Sequence, residues 1–334
     1  MESQRETSPW QDLLRQLIED GRERQRLATA MRVRPITLQR WASGISKPRP
    51  ENMRTLLKFL SPETYPVFLS LLSEDFPHLL QDEAVFEQIH PELPSEFYAR
   101  VLSAYALTPQ PMYRQTQQDL VLQQALEQLD PARLGMSISL VCCVPPRVGR
   151  KVRSLREIGG LGTPPWKHDL EQKTIFLGAE SLVGIAITRG HRVLVNSREE
   201  HTFAPVHWTE YEQSAVAFPI CRYGRVAGCL LAASAVPHYF TEVHLSLLER
   251  YSHLASLIFE PEEFFDLADL DLQLLPEYEL QVPYFLDFNR RVSQKFTEAL
   301  AQGSHISLQE ARLLVWQEIE EELLQVFLRN ADGQ

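Results

Sequence analysis

The sequence lacks the features that mark several classes of protein. No apolar run approaches the ~20 residues that a membrane-spanning helix needs. The N-terminal stretch MESQRETSPW has no apolar segment of the kind found in a signal peptide. We therefore expect a cytoplasmic protein with no membrane partner. Kinase, nucleotide-loop and serine-hydrolase signatures are also missing, which argues against those enzyme classes.

Cysteine is scarce, with four among 334 residues: Cys142, Cys143, Cys221 and Cys229. Four are too few for a disulfide framework in a chain of this length, and cytoplasmic thiols are expected to be reduced. No CxxC spacing occurs, so the sequence predicts no metal site. All four lie in strand-like runs, and we interpret them as buried structural thiols.

Charge is unevenly distributed along the chain, whose net charge is −11. Residues 1–60 hold 12 Lys and Arg against 7 Asp and Glu, whereas residues 261–334 hold 5 against 15. A basic N-terminal region on an otherwise acidic chain is expected if only that region, called the head below, binds a polyanion. On charge alone, a solvated basic surface is an equal alternative.

Residues 8–60 are predicted to form a compact unit of short helices, entered through prolines and closed by glycines. In the second helix, Leu27, Ala28 and Met31 can face inward; in the third, Leu38 and Trp41 can do so. Two short helices joined by a tight turn have the geometry of a helix-turn-helix. The residues left on the polar side are of types that reach base edges or phosphates in a major groove: Arg34, Pro35, Thr37, Gln39 and Arg40.

The stretch RLATAMRVRPITLQRWASGISKPRPENMRTLLKFL resembles the Cro/lambda-repressor-type, or XRE, helix-turn-helix family. Arg32 replaces the usual turn glycine, and Pro35 opens the third helix where a polar base reader often stands. The resemblance implies double-stranded DNA as a partner, with Thr37, Gln39 and Arg40 as base readers. It implies phosphate contacts from Arg24, Arg34 and Lys47. The alternative is a helical bundle with solvated arginines.

Residues 113–260 run helix, strand, loop-rich stretch, strands, hairpin and long helix, which predicts an α/β sandwich with a mostly antiparallel sheet. The segments FLGAESLVGIAITRGHRVLVNS, SAVAFPICRYGRVAGCLLAAS and HYFTEVHLSLLERYSHLASLI resemble the GAF family of small-molecule sensor domains. Such domains commonly pair through their first and last helices, which implies a homodimer. A dimer would also supply two helix-turn-helix domains, as DNA binding requires, because helix-turn-helix proteins bind paired half-sites.

Long loops rich in glycine and proline lie between these landmarks, and polar groups beside aromatic rings suit a small-molecule site. The candidate ligand-binding residues are Trp166, His168, His201, His207 and Trp208. Exposed loops without a ligand are the alternative. The motifs of cyclic-nucleotide-binding and bilin-binding GAF domains are missing, so the effector and any cofactor are unknown.

The fold class we predict is multi-domain, α plus α/β. A helix-turn-helix domain at 8–60 is followed by a helical linker at 61–112, a GAF-like sensor and dimerisation domain at 113–260, and an acidic helical region at 261–334. In the last region, one face of a helix gathers Leu313, Trp316, Ile319, Leu323 and Phe327. This face is either a docking element or packs on its own chain or dimer mate.

The leading functional prediction is a DNA-binding transcription regulator whose GAF-like body dimerises and binds an effector. Two alternatives come from other classes. One is a thiol enzyme of the methionine sulfoxide reductase kind, because free methionine sulfoxide reductases share the GAF fold. The other is a protein-interaction adaptor built on the acidic region.

Overall fold

The computed structural model describes residues 8–57, 59–61, 64–76, 89–168, 170, 175–199, 208–209, 211–304 and 306–331. Within these ranges, none of the helices combines the length and apolarity that a bilayer crossing requires.

Four short helices form the head: α1 (Pro9–Leu17), α2 (Gly21–Ala30), α3 (Pro35–Ala42) and α4 (Pro50–Leu57). Proline stands at the first position of α1 and of α3, where a missing N–H costs nothing. Asp20 caps α2 by accepting a hydrogen bond from the Arg22 N–H at 2.9 Å. The predicted inward residues are buried: Leu27, Ala28, Met31, Leu38 and Trp41.

The helix α5 (Thr64–Asp75) packs against the head and links it to the rest of the chain. The ring of Trp10 in α1 meets Phe68 and Phe76 edge-on, and its Nε1 donates to the Asp75 carboxylate at 2.6 Å. At the other end of α5, the buried Tyr65 hydroxyl donates to the backbone carbonyl of Leu134. The head is therefore connected through α5 to the segment that leads into the sheet.

Six strands form one sheet in the order β3-β2-β1-β6-β5-β4, and all neighbouring pairs are antiparallel. The strands are β1 (Met136–Cys143), β2 (Leu155–Gly162), β3 (Phe176–Leu177), β4 (Val193–Val195), β5 (Ser214–Arg222) and β6 (Arg225–Ser234). This arrangement confirms the predicted antiparallel sheet with flanking helices.

The helices associated with the sheet are α6 (Ser95–Leu107), α7 (Gln110–Leu129), α8 (Leu182–Arg189) and α9 (Glu242–Ala255). The amphipathic pattern at 113–130 predicts a helix there, and α7 begins three residues earlier, at Gln110. Thr241, a residue type that favours helix starts, is the N-cap of α9. The β5–β6 turn lies at Tyr223 and Gly224, whose φ angles of 52° and 76° match the turn that suits the twist of a two-residue hairpin.

One sequence prediction was wrong. The long loop predicted before Trp166 begins with RSLREIGGLG, which instead contains the eight-residue strand β2. Its glycines allow close packing, because a Cβ on Gly162 would lie 2.8 Å from the Lys167 backbone carbonyl. A Cβ on Gly160 would lie 3.0 Å from the Ile138 carbonyl of β1. Glycine lowers strand propensity but here allows close approach.

The C-terminal region contains α10 (Tyr278–Phe285), α11 (Phe288–Ala301) and α12 (Leu308–Ala331). It packs on its own chain. Ile319 and Leu323 are buried in a cluster with Phe176 of β3, and Trp316 meets the same ring at 5.8 Å. Arg153, which precedes β2, forms ion pairs with Glu320 and Glu321, both at 2.8 Å.

Candidate functional site

Two helices and a four-residue turn, α2–turn–α3, form the candidate DNA-binding element. The Met31 N–H donates to the Leu27 carbonyl and the Val33 N–H to the Ala28 carbonyl, both at 2.9 Å, which closes α2. Arg32 has a φ of 55°, in the left-handed region that favours glycine. The usual turn glycine is therefore replaced by a residue that still adopts the conformation a glycine would supply.

The third helix is anchored on one side and open on the other. Leu38 and Trp41 are 0% and 4% exposed, so they fix α3 against the head core. Arg34, Gln39 and Arg40 are exposed, and Thr37 is half-buried. These four predicted DNA-contact residues thus share one short element, in the polar positions that the sequence pattern assigned to them.

Ile36 is a further residue on the open side that sequence reasoning missed. It is 56% exposed and lies four residues before Arg40, one helical turn away on the same face. An exposed aliphatic side chain beside polar base readers can contact the methyl group of thymine. The signal available in the sequence was an isoleucine among residues that all point away from Leu38 and Trp41.

The structure gives two of the predicted phosphate-contact residues partners within the protein. The Arg24 guanidinium donates to the Ile18 carbonyl at the end of α1, at 3.2 Å. The Lys47 ammonium donates to the Asp75 carbonyl at 3.4 Å and lies 4.8 Å from the centre of the Phe76 ring. Arg24 therefore joins α1 to α2 within the head, and Lys47 joins the head to the end of α5.

Three of the five candidate ligand residues lie in the described ranges: Trp166, His168 and Trp208. Trp166 is buried and meets Tyr211 edge-on at 6.1 Å. His168 is exposed. His201 and His207 lie outside the described residues, so their prediction is untested.

Trp208 stands beside the segment that leads into β5. The Arg198 guanidinium lies 5.5 Å from the centre of its ring and also donates to the Thr209 carbonyl at 3.4 Å. The indole Nε1 is buried and finds no acceptor among the described residues. The structure thus places Trp166 and Trp208 near one short segment, 211–213, at one end of the sheet.

Glu212 is a buried acidic residue in this same segment that sequence reasoning did not single out. Its carboxylate accepts a hydrogen bond from the Thr209 N–H at 3.0 Å. Burial raises the pKa of Glu212 to about 7, although the Thr209 hydrogen bonds and the Arg198 charge both favour the ionised form. No sequence periodicity would have identified it, because its burial depends on the folding of the loop.

The cysteines lie in β1, β5 and β6, and Cys142, Cys143 and Cys229 are buried. Burial raises the pKa of the Cys143 and Cys229 thiols well above the usual value. Cys221 is exposed as a residue, and partial burial of its thiol raises its pKa as well. Because the thiolate is the nucleophile, these environments disfavour thiol reactivity. Within the described ranges, no group of His, Cys, Asp and Glu could hold a metal ion.

Comparison with solved structures gives similarities to compact domains that cover about half of this chain. A type II free methionine-R-sulfoxide reductase from Thermoplasma acidophilum is 13% identical, with a TM-score of 0.34, covering 46% of this chain and 97% of that one. The GAF domain of an Acinetobacter phosphoenolpyruvate-protein phosphotransferase is 20% identical, with a TM-score of 0.35, covering 49% and 90%. Similarities at these TM-scores carry no argument about activity.

A further solved structure in this group is the free methionine-R-sulfoxide reductase of Neisseria meningitidis in complex with its substrate. It is 17% identical, with a TM-score of 0.32, and the similarity covers 51% of this chain and 94% of that one. No curated protein matches the chain. One family model matches, that of the GAF domain, over residues 115–260. Residues 115–260 of this chain are therefore a GAF domain.

Proposed function

We propose that this protein is a DNA-binding transcription regulator of the XRE type. In this proposal the head reads duplex DNA, and the GAF domain dimerises and binds a small-molecule effector. The observation that carries it is α3, a short helix anchored by Leu38 and Trp41 that presents Arg34, Gln39 and Arg40 to solvent. A recognition helix needs this combination of a rigid base and free polar side chains.

The charges around α3 support this proposal. The ion pairs described within the head join Arg15 to Asp12 and Arg26 to Glu23, at 2.7 and 2.5 Å. Arg34 and Arg40 have no carboxylate at ion-pair distance among the described residues. Their charge is therefore available to a phosphate or a guanine edge, in a head where basic residues outnumber acidic ones by 12 to 7.

A single head contacts few phosphates, so its affinity would be low and strongly dependent on salt. We propose that a homodimer joins two heads on paired half-sites about one DNA turn apart. An effector that favours one dimer geometry over another would then change the spacing of the heads and hence the affinity for DNA. The Tyr65–Leu134 hydrogen bond supports such coupling, because it joins α5, which packs against the head, to the GAF domain.

For the effector site we propose the end of the sheet at Trp166, Trp208 and the segment 211–213. Two tryptophan rings, the buried Glu212 carboxyl and the Arg198 guanidinium are the kinds of group that bind a small polar ligand with an apolar part. We propose no catalytic activity for this site. The environments of Cys143, Cys221 and Cys229, which raise the pKa of each thiol, support that choice over a thiol enzyme.

The proposal is tested by fluorescence anisotropy with duplex DNA from upstream of the protein's own gene, over a salt series. We expect specific, salt-sensitive binding. Replacing Arg40 by Ala should weaken the specific complex by about 10-fold or more, since one base-reading side chain is worth roughly 1–3 kcal/mol.

The matched control is Arg290→Ala, which removes an arginine that is 68% exposed and lies in the C-terminal region. This variant should bind as the wild type does. A shuffled duplex of the same composition reports the non-specific component. The proposal fails if the wild type binds neither duplex at low salt, or if Arg40→Ala and Arg290→Ala bind equally well.

A further inference from the structure

Arg156 in β2 is a charged residue that the proposed function does not use. It is half-buried, and its guanidinium donates one hydrogen bond, to the Glu157 carbonyl at 3.4 Å. Among the residues that the structure describes, no carboxylate lies at ion-pair distance from it. A guanidinium that is partly withdrawn from water is costly without a counter-ion, so it normally has an anionic partner. The surroundings of Arg156 show what kind of partner it can bind.

Two helices contact the chain on either side of Arg156. Two residues after it, the Ile158 carbonyl accepts a hydrogen bond from the Gln118 side chain of α7 at 3.3 Å. Two residues before it, the Ser154 hydroxyl donates to the Glu320 carboxylate of α12 at 2.5 Å. Arg156 therefore lies where the GAF domain meets the C-terminal region, between a contact with α7 and a contact with α12.

Aromatic rings of the C-terminal region hold this guanidinium in place. The Arg156 guanidinium lies over the Trp316 ring of α12, 4.4 Å from its centre. Phe288 of α11 stacks on Trp316 with ring centroids 3.9 Å apart, and the Arg312 guanidinium lies 5.5 Å from the centre of the Phe288 ring. A guanidinium that lies over a ring still has N–H groups directed outward in its own plane. Arg156 can therefore donate from its edge to a ligand.

The full charges that act on Arg156 have the same sign as its own. Burial lowers the pKa of Arg156, and the Cys142 thiol raises it by a smaller amount. The guanidinium groups of Arg114 and Arg312 lower the same pKa, as nearby like charges do. Arg114 is paired with Glu263 at 2.8 Å, whereas Arg312 is exposed and has no ion pair within the described ranges. Two cations without a carboxylate therefore lie close together in a chain whose net charge is −11.

We propose that Arg156 and Arg312 bind the phosphate group of a small molecule, where β2 meets the C-terminal helices. A phosphate dianion matches the two unpaired charges, and its oxygens match the N–H groups of a guanidinium, which can donate two parallel hydrogen bonds to it. The site is separate from the proposed effector site at Trp166 and Trp208, which lies near the start of β5. A ligand here contacts both β2 and α12, so it stabilises the packing of the C-terminal region on the GAF domain.

The test is isothermal titration calorimetry of the full-length protein with inorganic phosphate, without DNA, at constant ionic strength and at a pH where phosphate is a dianion. We expect one site with a dissociation constant of about 1 mM or tighter. Arg156→Met removes the charge but keeps an apolar chain against Trp316, and it should weaken binding about 10-fold or more. The matched control, Arg189→Met, replaces an exposed arginine at the end of α8 and should bind phosphate as the wild type does.

Arg312→Met is a second variant, whose folding is not in question because the side chain is exposed. It should weaken phosphate binding about 3-fold or more, since an exposed charge contributes less than a buried one. Acetate, a monovalent carboxylate, should bind at least about 10-fold more weakly than phosphate.

The inference is overturned by a wild type that does not bind phosphate, by acetate that binds as tightly as phosphate, or by a folded Arg156→Met or Arg312→Met protein that binds like Arg189→Met. Circular dichroism shows whether each variant is folded. Arg40→Ala should bind phosphate as the wild type does, so this result and the DNA-binding experiment are judged separately.

Discussion

Glu212 should make the stability of the protein depend on pH. Burial holds the pKa of its carboxyl at about 7 in the folded chain, against an ordinary value of 4.5. Between these pH values the unfolded chain has released a proton that the folded chain retains, so raising the pH favours unfolding. Glu212→Gln should remove this effect. The free energy of unfolding of this variant, relative to that of the wild type, should rise by on the order of 3 kcal/mol between pH 4.5 and pH 8.

Urea unfolding of both proteins at several pH values measures this difference. Burial raises the pKa of Asp130 to about 6, so this residue also lowers the stability of the folded chain as the pH rises. The effect is the same in both proteins, and it cancels when they are compared. The exposed Glu279→Gln is the control and should follow the wild type at every pH. A free-energy difference between Glu212→Gln and wild type that does not change with pH would mean that Glu212 is ionised in the folded chain.

Residues whose role depends on local pattern could be predicted from the sequence, and residues placed by distant contacts could not. Leu38 and Trp41 are buried as their helical spacing predicted. Lys47 was assigned to DNA phosphates from its position in the motif, yet its ammonium meets Asp75 and Phe76, almost thirty residues away. Glu212 escaped notice for the same reason, since only the folded loop buries it.

At the scale of elements, the turn between α2 and α3 has a backbone conformation that slightly lowers the free energy of unfolding. Arg32 occupies the left-handed region, which costs a residue with a Cβ roughly 1–2 kcal/mol relative to glycine. Arg32→Gly should remove that cost. Part of the gain is offset because glycine is freer in the unfolded chain, which leaves a net stabilisation of about 0.5–1 kcal/mol.

Thermal and urea unfolding measure this gain, and Arg32→Ala separates its cause. Alanine removes the charge but keeps the Cβ, so it should not stabilise the protein. If both variants are equally stabilised, relief of charge repulsion in the basic head is the cause, and the backbone argument is wrong.

The elements themselves were predictable where their signals are local. The β5–β6 turn and the Thr241 cap follow from a few adjacent residues. Strand β2 was missed because Gly159 and Gly160 weaken the strand pattern, and the Ile138 carbonyl, whose close approach favours glycine at 160, lies about twenty residues earlier in β1. The packing of α6 against α7 and α9 could likewise not be predicted from the periodicity of the sequence.

On the scale of the whole molecule, a buried hydroxyl of the connecting helix α5 joins that helix to the proposed sensor. Tyr65 is 1% exposed, and its hydroxyl donates to the Leu134 carbonyl just before β1. The buried apolar residues run without a break from Trp10 in the head to Phe264 after the GAF domain. A continuous core of this kind predicts that head and GAF domain unfold together, and that Tyr65 helps to hold their relative orientation.

Tyr65→Phe keeps the ring and removes only the hydroxyl, leaving the Leu134 carbonyl without this donor. It should lower the free energy of unfolding by about 1–2 kcal/mol, the usual cost of an unsatisfied buried group. It should also speed hydrogen exchange in α5 and the head more than in the sheet. Tyr223→Phe is the matched control, because that side chain is 97% exposed in the β5–β6 turn and should change neither quantity. If Tyr65→Phe exchanges like the control, the head is not held through this contact, and any effect of a bound ligand on DNA affinity must pass through the dimer alone.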